Sequence, residues 1–215
     1  LPVTEMRRIR CGRIGRIFQE PMTGLNPVVR VCAQVVEAIL LHESMSKADA
    51  RSRARELFVE VGIPDPEERL EVYPHQLSGG LKQRVMIAMA LSCKPEILIA
   101  DEPSTALDVT VQKQILDLMK SLQQSMGMAM LLITHDLGVV HQICDRVAVL
   151  YAGRIAEIGD CAKVLGKPRH PYTHSLMRAV PRIDSDPNQS LAVIEGLPPS
   201  LGEIPVGCAF ANRCP

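Results

Sequence analysis

The sequence predicts an α/β fold: a parallel sheet, an inserted helical block and an extended C-terminal tail. Three observations carry that reading. Short continuous apolar runs, Ile97 to Ala100 and Ala129 to Thr134, flank a helical stretch from Asp108 to Met126, which is the alternation of buried parallel strands with crossover helices. Residues 25–92 show almost nothing but helical spacing of apolar positions. Beyond Pro181 the composition turns to Pro, Gly and Ser, which favours extended chain, stiffest at Pro198-Pro199.

Taken in order, Arg13 to Gln19 reads as a first strand, and Val28 to Leu41 as an amphipathic helix. Lys47 to Val61 follows Ser46, a residue suited to cap a helix by accepting a backbone N–H, and Pro64 and Pro66 end it. A Pro-bounded loop at Tyr73 to Leu77 leads into a helix at Gly80 to Leu91, which stops before Pro95. After the strand at 129–134 come a short helix at Leu137 to Ile143, two strands at Arg146 to Ala152 and Arg154 to Gly159 around a Gly153 turn, and a last helix at Tyr172 to Val180. The corresponding organisation is 1–24 as the start of the core, 25–92 as the helical subdomain, 93–167 as the α/β core and 168–215 as the C-terminal extension.

Composition excludes several classes. At 215 residues and 23.6 kDa, with 47% hydrophobic and 22% charged residues, the chain can bury a real core and is not intrinsically disordered. Twenty-four basic and 24 acidic residues cancel, and aromatic residues are only 3%, so there is neither the positive field nor the stacking surface that nucleic-acid binding uses. Arg7, Arg8, Arg10, Arg13 and Arg16 form a local cluster, read as a solvated surface around a strand with a phosphate or partner contact as the alternative. No apolar run approaches the roughly 18 to 20 residues that span a bilayer. Seven Cys, five of them without metal-ligand spacing, suit a reducing compartment.

The chemistry lies in a few short segments. Leu77-Ser78-Gly79-Gly80-Leu81-Lys82-Gln83-Arg84 puts a hydroxyl and two glycines where a loop enters a helix; the free N–H groups and the positive dipole end there suit a phosphate, although alone the segment is an ordinary cap. Ile97 to Pro103 delivers two adjacent carboxylates at the C-terminal end of a strand, where ligands bind in a parallel sheet. Asp101 is suited to hold Mg²⁺, because hard cations take oxygen ligands, and Glu102 to orient and deprotonate a water attacking a phosphoryl group. In isolation such a pair is more simply a charged strand end at a turn. His135, after the next strand, could donate to a terminal phosphate, and Gln19, after the first, offers an amide to metal or water.

Together, in this order and spacing, these segments resemble the nucleotide-binding subunit of ABC transporters over nearly the whole chain. The resemblance implies a partial P-loop NTPase core. It makes Gln19 the Q-loop glutamine, Ser78, Gly79 and Gly80 with Gln83 the signature motif, Asp101 and Glu102 the Walker B aspartate and catalytic glutamate, Ser104 to Asp108 the D-loop with Asp108 near nucleotide, and His135 the switch histidine. It further implies ATP and Mg²⁺ as ligands, the metal held near Asp101 and Gln19. Two such subunits, identical or sister chains, would sandwich two ATP molecules, each site pairing Walker B and His135 of one with the signature helix of the other. Residues 18–27, Arg169 to Thr173 and Gly207 to Pro215 are similar to the oligopeptide, dipeptide and nickel importer branch. The expected partners are therefore permease subunits and, indirectly, an extracytoplasmic solute-binding protein, with the chain peripheral at the cytoplasmic face of the inner membrane.

The departures carry their own expectations. No Gly-x-x-x-x-Gly-Lys-Ser/Thr occurs in the 215 residues, and Gly166-Lys167 is followed by Pro168. Without that phosphate cradle the chain alone is expected not to turn over ATP, and the sequence reads as a fragment cut at both ends, with a truncated non-hydrolytic paralogue as the alternative. A soluble ABC-type ATPase uncoupled from transport is the competing function. Some relatives in the branch carry an iron–sulfur cluster on C-terminal cysteines; only Cys208 and Cys214 stand there in this chain, and four thiolates are the usual requirement, which argues against a cluster.

Overall fold

The computed structural model describes residues 2–19, 24–105, 107–180, 193–200, 202 and 205–215, in two compact units, Leu1–His135 and Asp136–Pro215. Residues 20–23 of the importer-like stretch, residue 106 of the D-loop and the tail residues 181–192 lie outside the described residues.

The first unit opens with α1 (Val3–Ile9), which buries none of its residues and carries Arg7 and Arg8 in its last turn, where cations complement the helix dipole. Those arginines therefore sit on a helix rather than around a strand. The first strand, β1 (Ile14–Ile17), is shorter than the 13–19 expected; just before it, Arg13 O accepts from the N–H groups of Glu96 and Ile97. Next come α2 (Val31–Leu40) and α3 (Lys47–Glu60), and Ser46 Oγ accepts from Asp49 N at 3.1 Å as its residue type predicts. The proline-rich break contains a helix the sequence did not announce, α4 (Pro66–Glu71). Pro66 occupies its first position, where a missing N–H costs nothing. Glu71 accepts from Arg51 at 2.6 Å and Arg30 at 2.7 Å, joining α4 to α3 and to the start of α2.

α5 (Gly79–Leu91) is buried on nearly every side, from Lys82 and Gln83 through Val85, Ile87 and Leu91, as suits an apolar helix at the centre of a unit. β2 (Ile97–Asp101) runs parallel between β1 and β3 (Ala129–Ile133), with Ile17 opposite Ala100 and Asp101 opposite Ile133. The crossover between β2 and β3 is α6 (Val109–Met126), capped by the Asp108 carboxylate and ended by Gly127 in the left-handed region. The core joins Ile17, Leu98 and Ala100 of the sheet to Val85, Ile87, Leu91, Ile115 and Met119 of the helices, and to Val35, Leu57 and Phe58 of α2 and α3.

In the second unit α7 (Leu137–Ile143) is capped by Asp136, which accepts from Gly138 N and Val139 N. β4 (Arg146–Tyr151) and β5 (Arg154–Asp160) form an antiparallel hairpin over Ala152-Gly153. Both turn residues have positive φ, which a two-residue hairpin of this kind requires and Gly supplies without strain. After α8 (Cys161–Gly166) and α9 (Pro171–Arg178) the tail is not simply extended. Phe210 is 1% exposed, packed against Tyr151 and Tyr172, and Arg213 donates to Tyr151 Oη and to the carbonyls of Ile194 and Glu195.

Candidate functional site

The residues that end the three parallel strands meet at Glu102. Its backbone N–H donates to Ile133 O at 2.8 Å, continuing the β2–β3 ladder by one bond, while its φ of +45° breaks the strand. A non-glycine residue in the left-handed region costs on the order of 1 kcal/mol and is retained where surrounding contacts over-determine it. Here those contacts are explicit. Glu102 Oε1 lies 3.0 Å from His135 Nδ1, and Oε2 accepts from Gln19 Nε2 at 3.0 Å and from Thr105 Oγ1 at 2.8 Å. The His135 bond first, then those from Thr105 and Gln19, hold the Glu102 carboxyl below the usual carboxylate range against the opposing effect of desolvation. That depression keeps it ionised at neutral pH, and at 20% exposure the side chain is still reachable by water.

Asp101, on the last position of β2, instead receives Arg16 Nη2 at 3.1 Å. Asp101 and the Gln19 amide oxygen are hard donors. A protein-supplied set this small fits Mg²⁺, which keeps several waters and uses substrate phosphates rather than a full protein cage. Among the described residues no three His, Cys, Asp or Glu side chains converge as a metal site.

The glycine-rich helix start gathers elsewhere in the unit. Ser78 caps α5 by accepting from Leu81 N at 3.4 Å, and Ser78 and Gly79 are exposed. Gly79 and Gly80 lie against the beginning of α6: a Cβ at Gly80 would stand 2.8 Å from Val111 Cγ1, and one at Gly79 3.4 Å from Leu107 Cδ2. Asp108 uses its carboxylate to accept from Val111 N at 2.9 Å. Gln83 differs from expectation. It is wholly buried, with neither side-chain atom hydrogen-bonded, so it does not face a solvent-borne nucleotide.

Two residues of the site were named in the sequence only within wider groups, Thr105 in the Ser104-to-Asp108 segment and Arg16 in the arginine cluster. Thr105 carries a usable signal, a hydroxyl three residues after an acid across a Pro-containing turn, and Thr105 N does donate to Glu102 O at 3.2 Å. Arg16 carries none, since its partner depends on how β1 pairs with β2. In the second unit Cys208 Sγ stands 3.6 Å from His170 Nε2, and Cys208 and Cys214 are both exposed free thiols.

Comparison with known proteins follows this geometry. The family model described as ABC transporter matches residues 2–105, and that described as oligopeptide/dipeptide transporter, C-terminal region, matches residues 156–215. The chain is similar to the dipeptide transport ATP-binding protein DppD of Bacillus subtilis, 56% identical over 98% of the chain and 63% of that protein. It is also similar to the oligopeptide transport ATP-binding protein OppD of Salmonella typhimurium, 50% identical over 100% of the chain and 64% of that protein. It thus spans a little under two thirds of the length of these relatives. Among solved structures, a dimeric post-hydrolysis state of the ATP-binding cassette MJ0796 bound to ADP and Pi matches at 31% identity and TM-score 0.65, covering 75% of this chain and 68% of that one. CbiO1 from Clostridium perfringens, part of the ABC transporter complex CbiONQ, matches at 29% identity and TM-score 0.67, covering 77% of this chain and 63% of that one. Among the described residues no helix is long and apolar enough to cross a membrane.

Proposed function

The chain belongs to the ABC transporter family of ATP-binding cassettes, and on that premise we propose that it is the hydrolytic portion of the ATPase subunit of a peptide importer. The observation that carries the proposal is the Glu102 carboxylate, held at the open end of β2 by Gln19, Thr105 and His135 together. Glu102 is the group that orients the attacking water. Held by three side chains, its carboxylate can fix the line of attack and accept the water's proton. His135 has Nδ1 engaged by Glu102 and keeps Nε2 for the terminal phosphate. When bound, Mg²⁺ would offset charge on the transferring phosphoryl group, held by Asp101 and the Gln19 oxygen. Ser78 and the exposed start of α5 serve the nucleotide of a second, identical or sister subunit.

The dimeric cassette among the structural neighbours and the peptide-transport names of the relatives support an assembly of two such subunits on permease subunits, peripheral at the membrane; in this reading the face is the cytoplasmic one and an extracytoplasmic solute-binding protein delivers the cargo. The 215 residues contain no Gly-x-x-x-x-Gly-Lys-Ser/Thr, so the chain by itself does not sustain ATP turnover under this reading. The test replaces the matched segment of the Bacillus subtilis relative with this chain and measures ATP hydrolysis and dipeptide uptake. Both are expected to persist, and Glu102→Gln is expected to lower hydrolysis by about 10² to 10⁴-fold. A folded hybrid that hydrolyses ATP equally well with Glu102→Gln would refute the assignment.

A further inference from the structure

We propose that Arg16 is a resident counter-ion of Asp101 that a divalent metal must displace, so that Arg16 lowers the metal affinity of this site. The inference rests on the assignment of Asp101 as a metal ligand made above. β1 and β2 pair with Arg16 opposite Ile99, and alternate residues of a strand share a face, so Arg16, Ile99 and Asp101 stand on one face of the sheet. On that face Arg16 Nη2 reaches Asp101 Oδ2 at 3.1 Å, and its guanidinium carbon lies 4.7 Å from the centre of the Phe18 ring, a cation–π contact that holds the arginine beside the carboxylate.

The neighbouring acid is not an alternative partner. Glu102 is held instead by His135, Gln19 and Thr105, and Asp101 is the carboxylate that Arg16 bonds. A guanidinium and a dication compete for the charge of one carboxylate and repel each other, so occupation of Asp101 by one disfavours the other. The Arg16 side chain is 52% exposed and that of Asp101 26%, which keeps the pair hydrated and weak. Such a pair is loose enough for a dication to open and still strong enough to shift the dication's affinity. Released from Asp101, the guanidinium remains over Phe18 rather than dispersing into solvent.

The probe is Mn²⁺ alone, added to the 215-residue chain, with paramagnetic broadening of the amide signals of Gln19, Asp101 and Glu102 as the readout. The amide spectrum itself reports whether each variant is folded. Arg16→Met removes the charge while keeping an unbranched side chain. The Mn²⁺ concentration at half-broadening is expected to fall by about 2- to 5-fold in Arg16→Met, the range set by an exposed ion pair. Asp101→Asn is expected to abolish the broadening in both backgrounds. Equal midpoints in parent and Arg16→Met, with Asp101→Asn still abolishing the broadening, would overturn the role of Arg16 and leave Asp101 as a ligand. Broadening that is absent, or that persists unchanged in Asp101→Asn, would overturn both.

Discussion

His135 Nδ1 stands 3.0 Å from Glu102 Oε1, a hydrogen bond between the loops that follow two neighbouring parallel strands. Strand register produces this adjacency. Asp101 pairs with Ile133, so Glu102 comes one residue beyond the last rung on β2 and His135 two beyond it on β3. A slip of one residue would exchange the buried Leu98 and Ala100 for the more exposed Ile97 and Ile99, so the burial that sets the register also sets the meeting of these two groups.

Thr105 Oγ1 donates to Glu102 Oε2 at 2.8 Å, and its removal leaves the carboxylate less constrained. In the hybrid ATPase, Thr105→Val is expected to lower kcat about tenfold with KM for ATP little changed, the lower range for a hydrogen bond to an ionised group. Thr105→Ser, which restores the hydroxyl, is expected to recover most of the rate. Steady-state kinetics on the three proteins decide it; a Val variant as fast as the parent removes Thr105 from the site.

Glu71 predicts a pH dependence. Arg51 first and Arg30 second hold its carboxyl below the ordinary value of 4.5, against desolvation. Because the folded-state pKa is depressed, the stabilisation is complete above the unfolded value and is lost as the pH falls from about 4.5 through the folded value. Glu71→Gln is therefore expected to be less stable than the parent at pH 7, with a smaller gap at an acid pH below 4.5. Urea midpoints at both pH values measure this, and a gap that widens in acid would contradict it.

Gly80 and Val111 are expected to be coupled. A Cβ at Gly80 would come within 2.8 Å of Val111 Cγ1, a methyl on a branched, rotationally restricted side chain. Gly80→Ala gains about 1 kcal/mol of helix propensity but costs about 1 to 3 kcal/mol through overpacking. The substitution is expected to destabilise the parent and to stabilise Val111→Ala, where the obstructing methyl is gone. A double-mutant cycle by chemical denaturation reads the change of sign; the same sign in both backgrounds would show that the helix ends separate freely.

Phe210 anchors the tail in the second unit. Truncating this buried ring by Phe210→Ala is expected to cost about 3 to 5 kcal/mol in that unit. Hydrogen exchange at the β4 and β5 amides is expected to accelerate while exchange in β2 stays unchanged; acceleration in neither strand would show that the tail contributes no stability there.

Legibility in the sequence followed the range of the interaction. Caps set by a residue and its next three neighbours, Ser46, Asp108 and Asp136, were legible or sit at boundaries the periodicity placed within a residue or two. The strands β2 and β3 were legible because continuous apolar runs bounded by helices have few other uses. α4 was hidden because Pro64 and Pro66 signal a stop and a start with the same residue type. Gln19, Glu102 and His135 were readable as a set of types, and Thr105 only as part of the segment after the acids, while the bonds from Gln19 and His135 depend on pairing residues 83 and 33 positions apart. The burial of Gln83 and Phe210 depends on packing from distant segments and has no local signal.

α5 has an end exposed at Ser78 and a body enclosed from Lys82 to Leu91, and at Gly15 a Cβ would strike Ala90 O at 2.5 Å. A rod clamped along its length cannot twist or bend privately, because close-packed interiors transmit strain instead of absorbing it. Ser78 at its exposed tip and Gly15 of β1 beside Ala90 therefore bear on the two ends of one enclosed helix, so a change of volume at either end is felt by the same packed rod.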